Sequence, residues 1–463
     1  MRSPRAPGEI PAAPNTTLGG APAAAERARS WMLLATVAVA GAAVFAILIV
    51  LARVPAIGAL FPGVRFYKVA LTLHVNLAQL VWFSAVAGAL WSRASGEAGR
   101  HLERAALWCC AAGAATIALS PTLGALVPVT SNYLPVLDHP VFASGAILFA
   151  GGVGLQAWRG LAAWRTTECA RESILHAGLA AAAIATLVTL GLLAASGVEL
   201  RHAAAGPGYY EALFWGAGHA WQFTLAVLMM TAWFWLAAAT RHAFSDPARA
   251  RMLLMASVLP LALGPLLQVL HPVTSGPYRT GFTDLMRFGL WPAPALLCGS
   301  LLIATFGRAN AGWRRTALRL SALLFAAGLV LGAMIGGANT VVTAHYHGTI
   351  GAVTLALMGL SHGLRPVFGR EVAPAPLVCR QLRLYGFGIL LMMAGLAVAG
   401  IAGAPRKVPG NVGLELGPEF LARLVMGLGG TLATAGILLF VALMVRKAEY
   451  PAPGHAWPLA GRA

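Results

Sequence analysis

Twelve apolar stretches, each about as long as a bilayer is thick, leave this chain few ways to fold. A crossing needs about 20 apolar residues. Stretches of that length occupy residues 31–53, 66–92, 103–127, 139–160, 173–197, 210–240, 251–271, 284–307, 316–336, 340–363, 381–403 and 419–445. Only 10% of the residues are charged and 58% are hydrophobic, whereas a soluble domain carries about a quarter charged residues. The expected fold is an all-α integral membrane protein of twelve transmembrane helices. It is one membrane domain over 31–445, with a disordered Pro/Ala/Gly-rich cytoplasmic tail at 1–30 and a short cytoplasmic tail at 446–463. The first stretch reads as an uncleaved anchor.

The net charge of +18 invites a nucleic-acid reading, which its placement excludes. With a cytoplasmic N-terminus, Arg53, Arg65, Lys68, Arg201, Arg279, Arg406 and Lys407 fall in outer loops. Arg287 and Arg423 fall inside segments, and every other Lys and Arg lies on the cytoplasmic side. That asymmetry follows the positive-inside rule and supports an even number of crossings with both termini cytoplasmic. The basic charge sets topology, so the expected partner is the lipid bilayer and no nucleic acid is implied. The five cysteines have no metal or haem-attachment spacing, and none lies in an outer loop, so no disulfide is expected.

Depth can now be assigned to the 12 histidines. His101, His176, His242, His362 and His455 lie on the cytoplasmic side, where ordinary interfacial chemistry accounts for them. His74, His139, His219, His271, His345 and His347 all fall near the outer ends of segments, and only His202 is in a loop. One histidine in a span is more often a satisfied polar group than a ligand. Five helices supplying imidazole at one level is a different matter, because an unpartnered imidazole in hydrocarbon is costly. Neutral imidazole is a common ligand for iron and copper, and helix-bundle cores are where such sites are built. His345 and His347, in "VVTAHYHGTIGAV", lie about 200° apart around a helix. They cannot serve one metal from one side, but they can serve two cofactors flanking the helix.

The ordered motifs resemble catalytic subunit I of the haem–copper oxidase superfamily, which includes terminal oxidases and nitric oxide reductases. They are "LTLHVNLAQLVWF", "YYEALFWGAGHAWQF", "LQVLHPVTSG", "FTDLMRFGLWP", "NTVVTAHYHGTIGAVTLALMG" and "APRKVPG". The resemblance implies two haems and one non-haem metal, copper or iron. His74 and His347 would clamp a low-spin haem, and His345 would be the sole axial ligand of a high-spin haem. His219 and His271 would hold the non-haem metal, with Asp138 or His139 as a third ligand. Arg406 and Lys407 resemble the basic pair that holds haem propionates.

Three departures bear on the substrate. Leu270 stands where oxidases carry a second histidine before His271. Phe223 takes the place of the tyrosine that many oxidases link to the metal histidine. Trp221 replaces a proton-relaying carboxylate. Splitting O2 draws an electron and a proton from a nearby phenol, whereas joining two NO molecules needs none. The expectation therefore leans to a nitric oxide reductase, with a divergent cytochrome c or quinol oxidase as the alternative. A haem-bearing electron-transfer or gas-sensing membrane protein is the second alternative. Enzymes that reduce NO often add a carboxylate at the metal, and Glu211 and Asp284 are further candidates. Glu211 is about 12 Å along the helix from His219, and Asp284 competes with a simple cap role at the outer start of segment eight. Gln222 is another polar group able to point into the site. Tyr278 falls seven residues past His271, in a loop.

The resemblance implies respiration in a bacterial cytoplasmic (inner) membrane. No dinuclear copper loop is present, so electrons would come from a c-type cytochrome or quinol, with a second subunit carrying the entry site. Segments six, eight and ten hold few polar groups on their cytoplasmic halves. The expectation is no efficient proton pumping, with protons drawn from the outer side near Glu211.

Overall fold

The protein is described by a computed structural model covering residues 22–51, 63–166, 173–238, 246–305, 312–368, 370–406 and 418–446. In chain order the helices begin with α1 (Pro22–Leu51), α2 (Gly63–Ser95) and α3 (Arg100–Leu119). A two-stranded antiparallel hairpin follows, β1 (Pro128–Val129) and β2 (Val136–Leu137). Then come α4 (Pro140–Thr166), α5 (Ile174–Glu199), α6 (Pro207–Ala237) and α7 (Pro247–Leu270). The last five are α8 (Gly276–Thr305), α9 (Trp313–Ala333), α10 (Thr340–Leu364), α11 (Ala375–Ile401) and α12 (Pro418–Val445).

Among the described residues, eleven helices are long and apolar enough to cross a membrane. The exception is α10, where His345, Tyr346, His347 and several threonines dilute the apolar run. The expected twelve apolar crossings therefore hold for eleven. Residues 22–30, expected as part of the tail, already belong to α1. The rest of the expected tails, 1–21 and 447–463, lies outside the described residues, as do Lys407 and Cys169. Cys109, Cys110, Cys298 and Cys379 are free thiols.

Local chemistry explains where the helices start and break. Asn339 caps α10, its side-chain oxygen accepting from Val341 N at 3.0 Å, which satisfies one of the unpaired first-turn donors. Ser275 does the same for α8, accepting from Tyr278 N at 3.3 Å. Because α8 begins at Gly276, Asp284 lies inside the helix rather than at its outer start, and Tyr278 is helical rather than in a loop. Pro260 interrupts α7 as a 3₁₀ turn over Leu259–Ala262, since proline has no N–H for the ladder. Two π-turns interrupt other helices, Asn76–Val81 in α2 directly after His74 and Leu285–Leu290 in α8 after Asp284. Such turns re-aim side chains and often mark functional positions.

The bundle is built around α6. In its most apolar stretch 83% of residues are buried, against 28% in α7 and in α8, so α7 and α8 lie at the periphery of the bundle. At the end of the bundle expected to be cytoplasmic, α1, α3 and α4 are joined through Glu103, which is fully buried. Its Oε2 receives Arg27 Nε at 2.7 Å and Arg159 Nη2 at 3.0 Å. Removing one partner of a buried ion pair strands the other charge and costs about 3–5 kcal/mol. Glu103→Leu is therefore expected to lower stability by about that amount, read as an earlier thermal transition of the detergent-purified protein.

Candidate functional site

Four interior histidines are anchored in one way. His74 Nδ1 lies 2.8 Å from Ala42 O on α1, and His345 Nδ1 lies 2.7 Å from Gly328 O on α9. His347 Nδ1 is 2.8 Å from Thr343 O, and His219 Nδ1 is 2.7 Å from Trp215 O. A carbonyl only accepts, so each Nδ1 carries the hydrogen and each neutral ring keeps its lone pair on Nε2. That is how ligating imidazoles are fixed, the backbone contact setting both tautomer and ring orientation.

Inside the bundle lies a cavity of about 1890 Å³ with mostly apolar walls, lined by His345, Tyr346, Tyr133, Gln222 and Arg406 among others. It is roughly twice the upper end of an ordinary small-molecule pocket. A large flat group with one axial ligand on His345 suits both its volume and its donor set, so the residues fit a haem there. The Nδ1-anchored rings of His74 and His347 have the same donor chemistry. Arg406 belongs to the cavity wall because Thr340 N donates to Ala404 O at 3.0 Å, pinning the α11 exit against the head of α10.

The expected non-haem metal set is not brought together. Among the described residues no three His, Cys, Asp or Glu form a group that could hold a metal ion. The physical reason is that these groups have other work. Asp138 accepts from Tyr210 OH at 2.7 Å, which ties the head of α4 to α6. His139 Nδ1 accepts from Val141 N at 3.3 Å, a local turn contact. His271 ends α7 in extended backbone, with φ −135° and ψ 131°, and its ring is partly exposed. Glu211, one turn into α6, receives Asn132 N at 2.8 Å and the Asn132 side-chain amide, whose oxygen accepts from Arg406.

His219, 1% exposed on α6, has its lone pair engaged by a residue that sequence reasoning missed. Tyr133 Oη stands 2.7 Å from His219 Nε2. Since Nδ1 donates to Trp215 O, Nε2 accepts and the phenol is the donor. The hairpin between β1 and β2 carries Tyr133 inward, and Trp215 packs edge-on against its ring at 6.0 Å. Gly218 makes the approach possible, because any side chain there would occupy the space of the tyrosine ring. Burial, reinforced by the neighbouring Glu211 carboxylate, pushes the Tyr133 phenol well above its usual range, so it keeps its proton. Tyr133 lies 86 residues from His219, and nothing in that spacing signals contact. The readable hint was the glycine beside the histidine in "GAGHAW", which leaves room for an incoming ring.

Phe223, Gln222 and Tyr278 take plainer places. Phe223 is buried in the core. Gln222 lines the cavity. Tyr278 is fully buried and spends its hydroxyl on Gln268 Oε1 at 2.9 Å.

The fold and site define a multi-helix membrane protein with carbonyl-anchored imidazoles on α2, α6 and α10 around an apolar interior. The family described as Cytochrome C and Quinol oxidase polypeptide I matches residues 27–432, and the chain belongs to it. It is 28% identical to an uncharacterized protein of Aquifex aeolicus (strain VF5), over 72% of this chain and 82% of that one. It is 23% identical to an uncharacterized protein of Rickettsia prowazekii (strain Madrid E), over 89% of this chain and 94% of that one. Its fold is similar to that of a heme-copper terminal oxidase dimer solved by cryo-EM. That match has a TM-score of 0.69 and 17% identity, and covers 93% of this chain and 85% of that one. The protein is thus a haem–copper oxidase subunit I-like oxidoreductase of the membrane.

Proposed function

We propose that this protein is a respiratory reductase of dioxygen, with the phenol of Tyr133 serving the gas-binding pocket. The observation that carries this reading is the 2.7 Å contact between Tyr133 Oη and His219 Nε2. Nitric oxide chemistry is favoured by a site without a phenol and with a carboxylate beside a metal. A phenol is present after all, supplied by the hairpin instead of α6. Asp138 and Glu211 are engaged elsewhere, which weakens the other half of that argument. Nitric oxide remains the second reading, favoured by Leu270 and Trp221.

In this reading His345 would hold a high-spin haem at the cavity, and His74 and His347 would hold a low-spin haem through which electrons would enter. When bound, the haem on His345 supplies the iron at which the gas is held and reduced. The chain's own residues do the rest. Gly328 O and Ala42 O fix the rings of His345 and His74 through their Nδ1 hydrogens, and Arg406 is placed to pair with a propionate at the cavity wall. Tyr133 holds its proton on the lone pair of His219, where the reduction can draw on it. Among the described residues, His219, His271, Asp138 and His139 do not form a group that fits a further metal. Electrons would come from a c-type cytochrome or a quinol through a partner subunit. The host membrane would be a bacterial inner membrane, with α10 as the twelfth crossing and both termini cytoplasmic.

Gas consumption by the purified protein, with reduced cytochrome c or a quinol as donor, tests the assignment. Rapid O2 uptake with little NO uptake is expected, and the reverse pattern would overturn the choice of gas. Gly218→Val, which fills the space of the Tyr133 ring, is expected to lower O2 turnover on the order of 10²-fold. An oxygen electrode reads that loss while the haem spectrum stays unchanged.

A further inference from the structure

Two opposite charges stand three residues apart on α8, and neither is used by the other. Asp284 and Arg287 enter no ion pair and no hydrogen bond among the described residues. On a regular helix that spacing puts both side chains on one face, where carboxylate and guanidinium attract. Here the π-turn Leu285–Leu290 begins directly after Asp284. A π-turn closes its hydrogen bonds one residue later than an α-turn, which rotates Arg287 off the face of Asp284. Asp284 stays out of the cavity wall, and Arg287 becomes part of it.

The cavity is one-sided in charge. Arg287 and Arg406 belong to its wall, and among the described residues no Asp, Glu or Lys does. The two arginines differ in depth and in partners. Arg406 follows the end of α11 and donates to Asn132 Oδ1, while the Asn132 amide donates to Glu211. A carboxylate thus answers that charge through one side chain. Arg287 lies roughly 16 Å along α8 from Gly276. It is five residues past Phe282, whose ring centre is 6.1 Å from that of His219. A lone cation at membrane depth is costly and marks a functional position. Arginine is not deprotonated in proteins, so Arg287 carries no protons and supplies a fixed positive charge. Apolar walls screen that charge poorly, and its field extends into the cavity.

We propose that Arg287, turned from Asp284 into the cavity by the π-turn, raises the reduction potential of the haem on His345 and so draws electrons inward. The proposal rests on the reading above, in which His345 and the His74–His347 pair each carry a haem. One electron leaves the haem between His74 and His347, which is oxidised, and arrives at the haem on His345, which is reduced. The cavity gains one negative charge, and a fixed positive charge in the same poorly screened space lowers the free energy of that state. No bond to Arg287 forms or breaks. Paired with Asp284, the guanidinium would present a short dipole whose field fades quickly with distance. The π-turn keeps the full charge in play.

Arg287→Met and Arg287→Gln remove the charge, one leaving an apolar chain and the other a polar one, while Arg287→Lys keeps it. Each detergent-purified protein is poised at a series of electrode potentials while its visible spectrum is recorded. At a fixed potential the reduced-to-oxidised ratio of the CO-binding haem should fall on the order of tenfold in both neutral variants. For one electron that is about 59 mV. The low-spin haem should keep its ratio, and Arg287→Lys should restore the native one at the cavity. A native ratio in either neutral variant would overturn the proposal. So would an equal shift of both haems, which a general loss of packing produces, or a loss that Arg287→Lys leaves in place, which makes shape the cause. A native protein that binds no haem removes the gas-reduction reading and this proposal together. A native haem with an unmoved ratio removes this proposal alone.

Discussion

His345→Ala is expected to abolish gas reduction while leaving the fold and the low-spin haem intact. His345 faces the large cavity, and its Nδ1 is held by Gly328 O at 2.7 Å, so its Nε2 is the one lone pair in the ring that a cavity haem could use. Alanine offers no replacement, and axial ligation is what fixes such a haem. Reduced-plus-CO difference spectra should lose the ligand-binding haem signal, and total haem should fall by about half, since one of two axially ligated groups is lost. The low-spin bands assigned to His74 and His347 should persist. A variant that still binds CO at native stoichiometry would show that the cavity histidine is not an iron ligand.

Tyr133→Phe should produce the second-largest effect, and a more selective one. The substitution removes a single oxygen, leaves the ring against Gly218 and Trp215, and frees the lone pair of His219. A positioned proton donor contributes about 10²–10⁴-fold to turnover, so O2 reduction should fall by at least about 10²-fold with both haem spectra unchanged. The oxygen electrode distinguishes this from a structural defect, because loss of packing would lower haem content in step with activity. If O2 reduction survives Tyr133→Phe undiminished, the phenol is structural and the nitric oxide reading regains its main support.

These two residues were unequally visible in the sequence. His345 stands in an apolar run where imidazole is expensive, and its motif carries both its depth and the role proposed for it. Tyr133 stands in a polar turn, "SNYLP", that by itself reads as a surface loop. Its contact with His219 depends on the hairpin of β1 and β2 folding inward and on the opening at Gly218, neither of which has a periodic signature. Phe223 misled for the same reason. Its position along α6 says that this helix offers no phenol there, and says nothing about what another element brings to the same histidine. Asp138 and His139 were legible as polar groups at the right depth, but the partner of Asp138, Tyr210 OH, is decided only when α4 and α6 dock, while His139 is taken by a local turn contact with Val141 N.

The sequence alone determined the membrane setting, the order of the helices, the basic side of the bundle and the histidines that sit inside it. These follow from additive, local properties, apolar length and the cost of buried charge, which can be summed along a chain. Tertiary structure decided which lone pairs remain available and which phenol meets His219. Hydrogen-bond partnership is a property of pairs brought together across tens of residues, and packing, not sequence period, selects the pairs.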